Sequence, residues 1–335
     1  MKPKLLVFSM LLACALIVPG ATPRTADAQP AVALRIATLA PTGSSWMKVF
    51  NAWNRTLQEK SNGTLSLRFY PGGSQGDERD FIRKMRAGQM DGAAVTSTGL
   101  GMIVRPVLVL SAPGLFTTYE EVDKVRNALK DDFEQEFLNA GYKLLGWGDV
   151  GKLRLFSNEK ILKPSDLKHA RPWAWRDDLI FTNFLKVVGA NGISMGVPEV
   201  YPALQTGMVD TVPASAIAAV SLQWYTRLKY VSEQNMGILI GATILRKESF
   251  DALTPEQKSV LMSTSERAHA VLAKLIRRDD DTSYDTILKR NITAVDTNPY
   301  RAEWQAELDK TRKILVGRVY PAPLLAKVEH ILNEK

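Results

Sequence analysis

Three histidines, one cysteine and one run of acids are the residues with the most chemistry to offer. His169, His269 and His330 are scattered, and none has a His, Asp or Glu at metal-ligand spacing. Asp279-Asp280-Asp281 resembles a calcium cluster, but consecutive side chains on a helix point apart, so it reads as a solvated face. Pro71–Gly76 is glycine-rich yet lacks the Gly-Lys-Ser/Thr ending of a phosphate loop, and Gly99–Gly101 does not continue into a dinucleotide fingerprint. No Gly-x-Ser-x-Gly elbow occurs. Cys14, the one cysteine, lies in the leader described next, which leaves no thiol for catalysis, metal or disulfide. The expectation is a protein that is not an enzyme and carries no metal or cofactor.

Residues 1–28 read as a secretory signal peptide. Lys2 and Lys4 precede an apolar run at 5–18, Pro19-Gly20 breaks it, and Ala26-Asp27-Ala28 is a small-x-small cleavage site. The run is short of the ~20 residues needed to span a bilayer. A lipoprotein reading at Leu11–Cys14 is the alternative, and it would leave Ala15–Val18 at the mature start. The expected compartment is the periplasm. Of 335 residues, 43 are Lys or Arg and 35 Asp or Glu, a net +8. Without Lys2, Lys4, Arg24 and Asp27 the surplus is +6, spread without the basic cluster that nucleic-acid binding needs.

The elements that would position a site alternate. Leu34–Leu39 reads as a strand, and Ser44-Ser45 caps a helix with Trp46, Val49, Phe50, Trp53 and Leu57 at helical spacing. Thr64–Tyr70 and Gly92–Thr96 read as strands around a helix at Glu78–Ala87. Tyr142–Trp147 and Leu153–Phe156 read as two strands on either side of Gly148 and Gly151. Residues 171–175, 193–197 and 236–245 are further strands, with a helix opening at Pro198 and ending at Gly207. Thr254-Pro255-Glu256-Gln257 is a capping box with proline at the first helical position, and no Gly or Pro follows until Pro299. A helix over 255–288 would be roughly 50 Å long at ~1.5 Å per residue. That exceeds one small domain, so it should run along two and remain unbroken past Arg277. An exported α/β protein of two domains without catalytic residues most simply binds a solute between them.

Specific segments carry a resemblance. These are Phe69–Arg79, Gly88-Gln89-Met90-Asp91-Gly92, Gly151–Asn158 with Arg154, Gly189-Ala190, and Pro198-Glu199-Val200-Tyr201-Pro202-Ala203-Leu204-Gln205-Thr206-Gly207-Met208-Val209-Asp210. Together with Lys229-Tyr230 and Leu253–Gln257 they resemble the solute-binding subunits of TRAP transporters, the DctP family, over about 34–290. The resemblance implies a two-domain periplasmic-binding-protein-like α/β fold with crossing strands and a long helix shared by both domains. Residues 34–150 with about 236–255 would form domain I, 151–235 with about 285–335 domain II, and 255–288 the shared helix. It implies a small-molecule ligand and a TRAP membrane partner, and no nucleic acid.

Most members of that family pair an arginine of the second domain with a ligand carboxylate. Aligning Leu167-Lys168 with the family's segment puts Trp173 at the arginine and His169 at a glycine. A family position that is often Asn is Ala214 here, and Thr211 replaces the usual Gly, while Arg154 matches a second ligand-contacting arginine. Trp173 facing the cleft would favour a ligand more apolar or amphipathic than a small dicarboxylate, as proposed for a divergent branch associated with a TPR-repeat partner. Two alternatives stay open. A short gap would make Arg171 or Arg176 the clamp for an organic acid, or Trp173 and Trp175 are ordinary strand packing. The expected cleft comprises Ser45, Trp46, Thr96, Thr98, Arg154, Trp173, Trp175, Ala214, Ser215 and Trp224, with Arg171 and Arg176 as substitutes. Trp46 and Trp224 also fit plain helix packing. A stand-alone periplasmic ligand sensor is the alternative of another class.

Overall fold

The computed structural model describes residues 31–334; the signal-peptide and Cys14 expectations lie outside the described residues. The first half of the chain runs β1 (Val32–Thr38), α1 (Ser45–Lys60), β2 (Leu65–Tyr70), α2 (Glu78–Arg86), β3 (Gly92–Thr96), α3 (Ser97–Gly101), α4 (Tyr119–Ala128), α5 (Lys130–Asn139) and β4 (Tyr142–Ser157). It continues through β5 (Trp173–Trp175), α6 (Leu179–Val187), β6 (Ile193–Met195), α7 (Val197–Thr206), β7 (Thr211–Ala214), α8 (Ala216–Ser221), β8 (Tyr230–Ser232) and β9 (Gly237–Arg246). The last part is α9 (Lys247–Asp251), α10 (Pro255–Leu288), β10 (Thr293–Val295), α11 (Arg301–Leu315) and α12 (Ala322–Asn333).

β1 pairs in parallel with β2 and β3, as strand–helix–strand alternation requires. β9 then pairs antiparallel with both β3 and β4. β4 is the pivot. Its first part, Tyr142–Leu153, pairs with β9, and its end, Arg154–Ser157, pairs with β7 and β8 of the second domain. Two strands were expected here and one 16-residue strand is found. Gly148 and Gly151 do not interrupt it. Register shifts at Leu144/Gly146 and Asp149/Gly151 absorb the extra residues, and Gly151 takes φ +120°, which bends the strand from one domain to the other. The small parallel pair β5–β6 stands apart from the main sheet.

α10 begins where the cap placed it. Thr254 accepts from the Gln257 amide, and the Gln257 side chain accepts from the Thr254 amide. Its 34 residues pack on α1 and β4 and, further along, on α8. Leu261, Leu272 and Ile276 join the core with Trp53 and Phe50, whereas Ile287 joins the core with Phe156 and Trp173. The helix is therefore shared by both domains. The acidic run is not a plain solvated face. Asp281 is exposed beside Lys152, but Asp280 is buried and accepts from the amides of Lys152 and Ile217. Successive helix positions turn by about 100°, so one of three neighbours had to point inward. At the C-terminal end, α11 packs on α6, but α12 packs on α4, and Val328 and Ile331 lie in the core with Phe116 and Val122.

Candidate functional site

Glycine and proline punctuation places the loops that meet between the domains. Domain I supplies the turn after β1, the first turn of α1 and the β3–α3 junction. Domain II supplies β5, the start of α6, and the β7–α8 junction. They enclose a cavity of about 230 Å³. Trp46, Thr96, Thr98, Trp173, Trp175, Ala214, Ser215 and Trp224, named above from the sequence, all line it.

Three of the four tryptophans form one packed group. Trp173 stacks on Trp175 with ring centroids 5.8 Å apart and meets Trp224 edge-on at 5.2 Å. Three indole N–H groups are already engaged. Trp46 donates to the Asp149 carbonyl (3.2 Å), Trp173 to the Met195 carbonyl (3.0 Å) and Trp175 to Asp77 Oδ2 (2.8 Å). What these three offer the cavity is ring surface. Trp173 and Trp175, two apart on a strand, face the same way, while Ala174 joins the core on the other side with Leu155 and Phe184.

The expected arginines lie elsewhere. Arg171 precedes β5, because Pro172 pairs with Thr211 before the β5–β6 ladder begins. Its guanidinium reaches Asp210 (3.1 Å) and is largely exposed. Arg176 pairs with Glu199 on the surface (3.1 Å). Neither lines the cavity. Arg154 is buried but turns onto the ring of Tyr284 in α10, 4.3 Å from its centroid, with Nε and Nη1 unpartnered. It is not among the residues that line the cavity. Ser45 also leaves the cavity, donating to Asp279 Oδ2 at 2.6 Å. His269 lines the cavity yet is held between Thr243 and the Ser265 carbonyl, and burial lowers its pKa to about 4. His169 and His330 are exposed, and no group of metal-ligating residues occurs among the described residues.

Sequence reasoning missed Phe50, Phe116, Phe181 and Phe184 as lining residues. Phe181 and Phe184 carried a signal, since they share one face of a helix capped by Asp178, which accepts from the amides of Ile180 and Phe181. Phe116 lies in a loop and carried none.

Among the described residues, no Lys or Arg lines the cavity, whereas Glu78, Asp149 and Asp178 do. Each carboxyl is already held. Asp149 is paired with Arg126 (2.9 Å) and Arg277 (2.7 Å). Burial raises the pKa of Asp178 against its two amide donors. Glu78 is 1% exposed and accepts from the Thr96 amide, the Thr96 hydroxyl and the Gly99 amide. Burial prevails over these donors and pushes its pKa from 4.5 up to about 8. The unfolded chain releases this proton near 4.5, so between about 4.5 and 8 the folded state binds more protons. Stability should therefore fall as pH rises through that window. Glu78→Gln should flatten that part of the curve; melting temperatures of both proteins from pH 5 to 8 check this, and identical slopes would refute it.

One contact set ties the domains over the cavity. Asp77 caps α2 through Oδ1, and its Oδ2 accepts from both Trp175 Nε1 and the Val197 amide (3.2 Å). Gly196 makes the approach possible, since a Cβ there would meet Asp77 Oδ2 at 2.5 Å. Arg79 pairs with Asp177 beside it. Asp77→Ala removes two bonds across the gap and a cap worth about 1 kcal/mol. The expected result is a larger radius of gyration in X-ray scattering; an unchanged value would show that other contacts hold the domains.

The model of the DctP family, bacterial extracellular solute-binding protein family 7, matches residues 36–315. The 2,3-diketo-L-gulonate-binding periplasmic protein YiaO of Escherichia coli K12 is 25% identical over 83% of this chain and 86% of its own. A TRAP periplasmic solute-binding protein of Ralstonia eutropha H16, solved with (S)-2-acetolactate, superposes with a TM-score of 0.84 at 18% identity, covering 90% of this chain and 99% of that one. Another from Xanthobacter autotrophicus Py2, solved with β-D-galacturonate, gives 0.81 at 20% identity over 90% of this chain and all of that one.

Proposed function

This chain belongs to the DctP family of extracellular solute-binding proteins, a family of binding receptors and not of enzymes, and from that membership we propose that it is the extracytoplasmic receptor of a TRAP transporter for a ligand with an apolar body. In this reading, 34–150 with about 236–255 forms one lobe, and the lobe holding 151–235 closes over the ligand. The observation that carries the ligand class is the lining: four indoles and four phenylalanines from both lobes, and no Lys or Arg among the described residues. A small carboxylate entering such a site would lose its water shell without gaining a cation.

A small organic acid is the second reading, favoured by the ligands named for YiaO and for the two superposed receptors. Native mass spectrometry of the purified protein, followed by calorimetry with galacturonate, 2,3-diketogulonate and succinate, separates the two. The expected outcome is a co-purified apolar or amphipathic molecule and no submillimolar binding of the acids. Micromolar binding of any of the acids would replace the first reading with the second.

A further inference from the structure

A second recess, of about 400 Å³, adjoins the aromatic cavity: Pro41 and Ser221 line both. Its character is different. Thr42, Ser44, Ser45, Ser221, Thr282 and Ser283 bring six hydroxyl groups to it, and among the described residues Asp279 is its one charged lining residue. That carboxylate is already neutralised, because Arg278 donates to its Oδ1 (2.8 and 3.0 Å) and Ser45 donates to its Oδ2. The recess therefore calls for no charge on its occupant. It has hydrogen-bonding capacity left, since each hydroxyl has two lone pairs besides its proton. Ser221 and Ser283 make no side-chain hydrogen bond among the described residues, and Ser44 only accepts weakly from the Met47 amide at 3.4 Å.

We propose that the two spaces form one composite site for an amphipathic ligand, whose apolar body lies among the tryptophans and whose uncharged, polyhydroxylated head lies in the hydroxyl-lined recess past Pro41 and Ser221. The inference rests on the apolar reading of the cavity and adds the class of the head group. Hydroxyls with a neutralised carboxylate suit a sugar or polyol, whose own hydroxyls both donate and accept. A carboxylate or phosphate head would face Asp279 with no cation among the described lining residues. An ammonium head would compete with Arg278 for the same oxygens.

The test uses four probes of equal chain length below their micelle concentrations: octyl β-D-glucoside, octanol, octanoate and octyltrimethylammonium. Quenching of tryptophan fluorescence reports entry of the octyl body. Octyl glucoside is expected to bind about tenfold tighter than octanol, as one or two extra hydrogen bonds would give. Thr42→Phe, which puts an apolar ring into the recess from a residue that does not line the aromatic cavity, should erase that advantage and leave octanol within about twofold. Asp279→Ala with Ser283→Val should do the same from the far side, so misfolding of either variant leaves the other informative. Equal affinity of glucoside and octanol, or tightest binding of the ammonium or octanoate probe, overturns the polyol head while the apolar cavity stands. Failure of all four probes to bind overturns the apolar reading itself, and this inference with it.

Discussion

Trp173→Arg is expected to cost about 3–5 kcal/mol of stability and to lower affinity for an alkyl probe such as octanol more than about 100-fold. Trp173 is 4% exposed, packs on Trp175 and Trp224, and donates to the Met195 carbonyl. Truncating a buried tryptophan alone carries a loss of that size. Arginine adds a cation to a lining whose carboxylates are already held by Arg126, Arg277 and backbone amides. Trp173→Phe separates packing from polarity, because it keeps ring surface and gives up the N–H bond. It should lose only about 1–2 kcal/mol and retain the alkyl probe. Urea unfolding and fluorescence titration measure both variants. Full affinity in Trp173→Arg would mean that the ring is strand packing rather than a cavity wall.

Asp149→Ala should destabilise the fold by about 3–5 kcal/mol, because it strands charge in the interior. Its side chain has no exposure, and it joins Arg126 on α4 to Arg277 on α10 at the point where β4 passes between domains. Asp123 remains on the same two arginines (2.6 and 2.7 Å), which places the loss near the lower end. Removing Arg277 as well should recover part of the stability, since the orphaned guanidinium goes with it. A double-mutant cycle read from urea midpoints gives the coupling, and additive losses would show that the pair is not coupled.

Much of this was legible in order along the chain. The capping box at Thr254 and the absence of Gly and Pro fixed α10 to the residue, since those are local properties of backbone donors and φ angles. Gly92–Thr96 and the α7 segment ending at Gly207 (φ +70°) were legible for the same reason. Trp173 was singled out by its match to a family position, and it lines the cavity.

Other features depended on which partner a side chain met across the fold. Arg154 stands in a matching motif, yet its guanidinium stacks on Tyr284, 130 positions away, where ring and cation attract. Arg171 and Arg176 are drawn to Asp210 and Glu199, so neither could be ranked against Trp173 from spacing alone. Gly148 and Gly151 looked like a break, but β9 pairs with both of them and on to Leu153, where β7 takes over, and one strand runs through both. Asp280 looked solvated until Lys152 and Ile217 offered it their amides. Sequence by itself determined the elements and the family, because caps, periodicity and motifs act over a few residues. The tertiary structure alone decided which charges face the cavity, because ion pairs, stacking and strand pairing are settled between residues far apart in the chain.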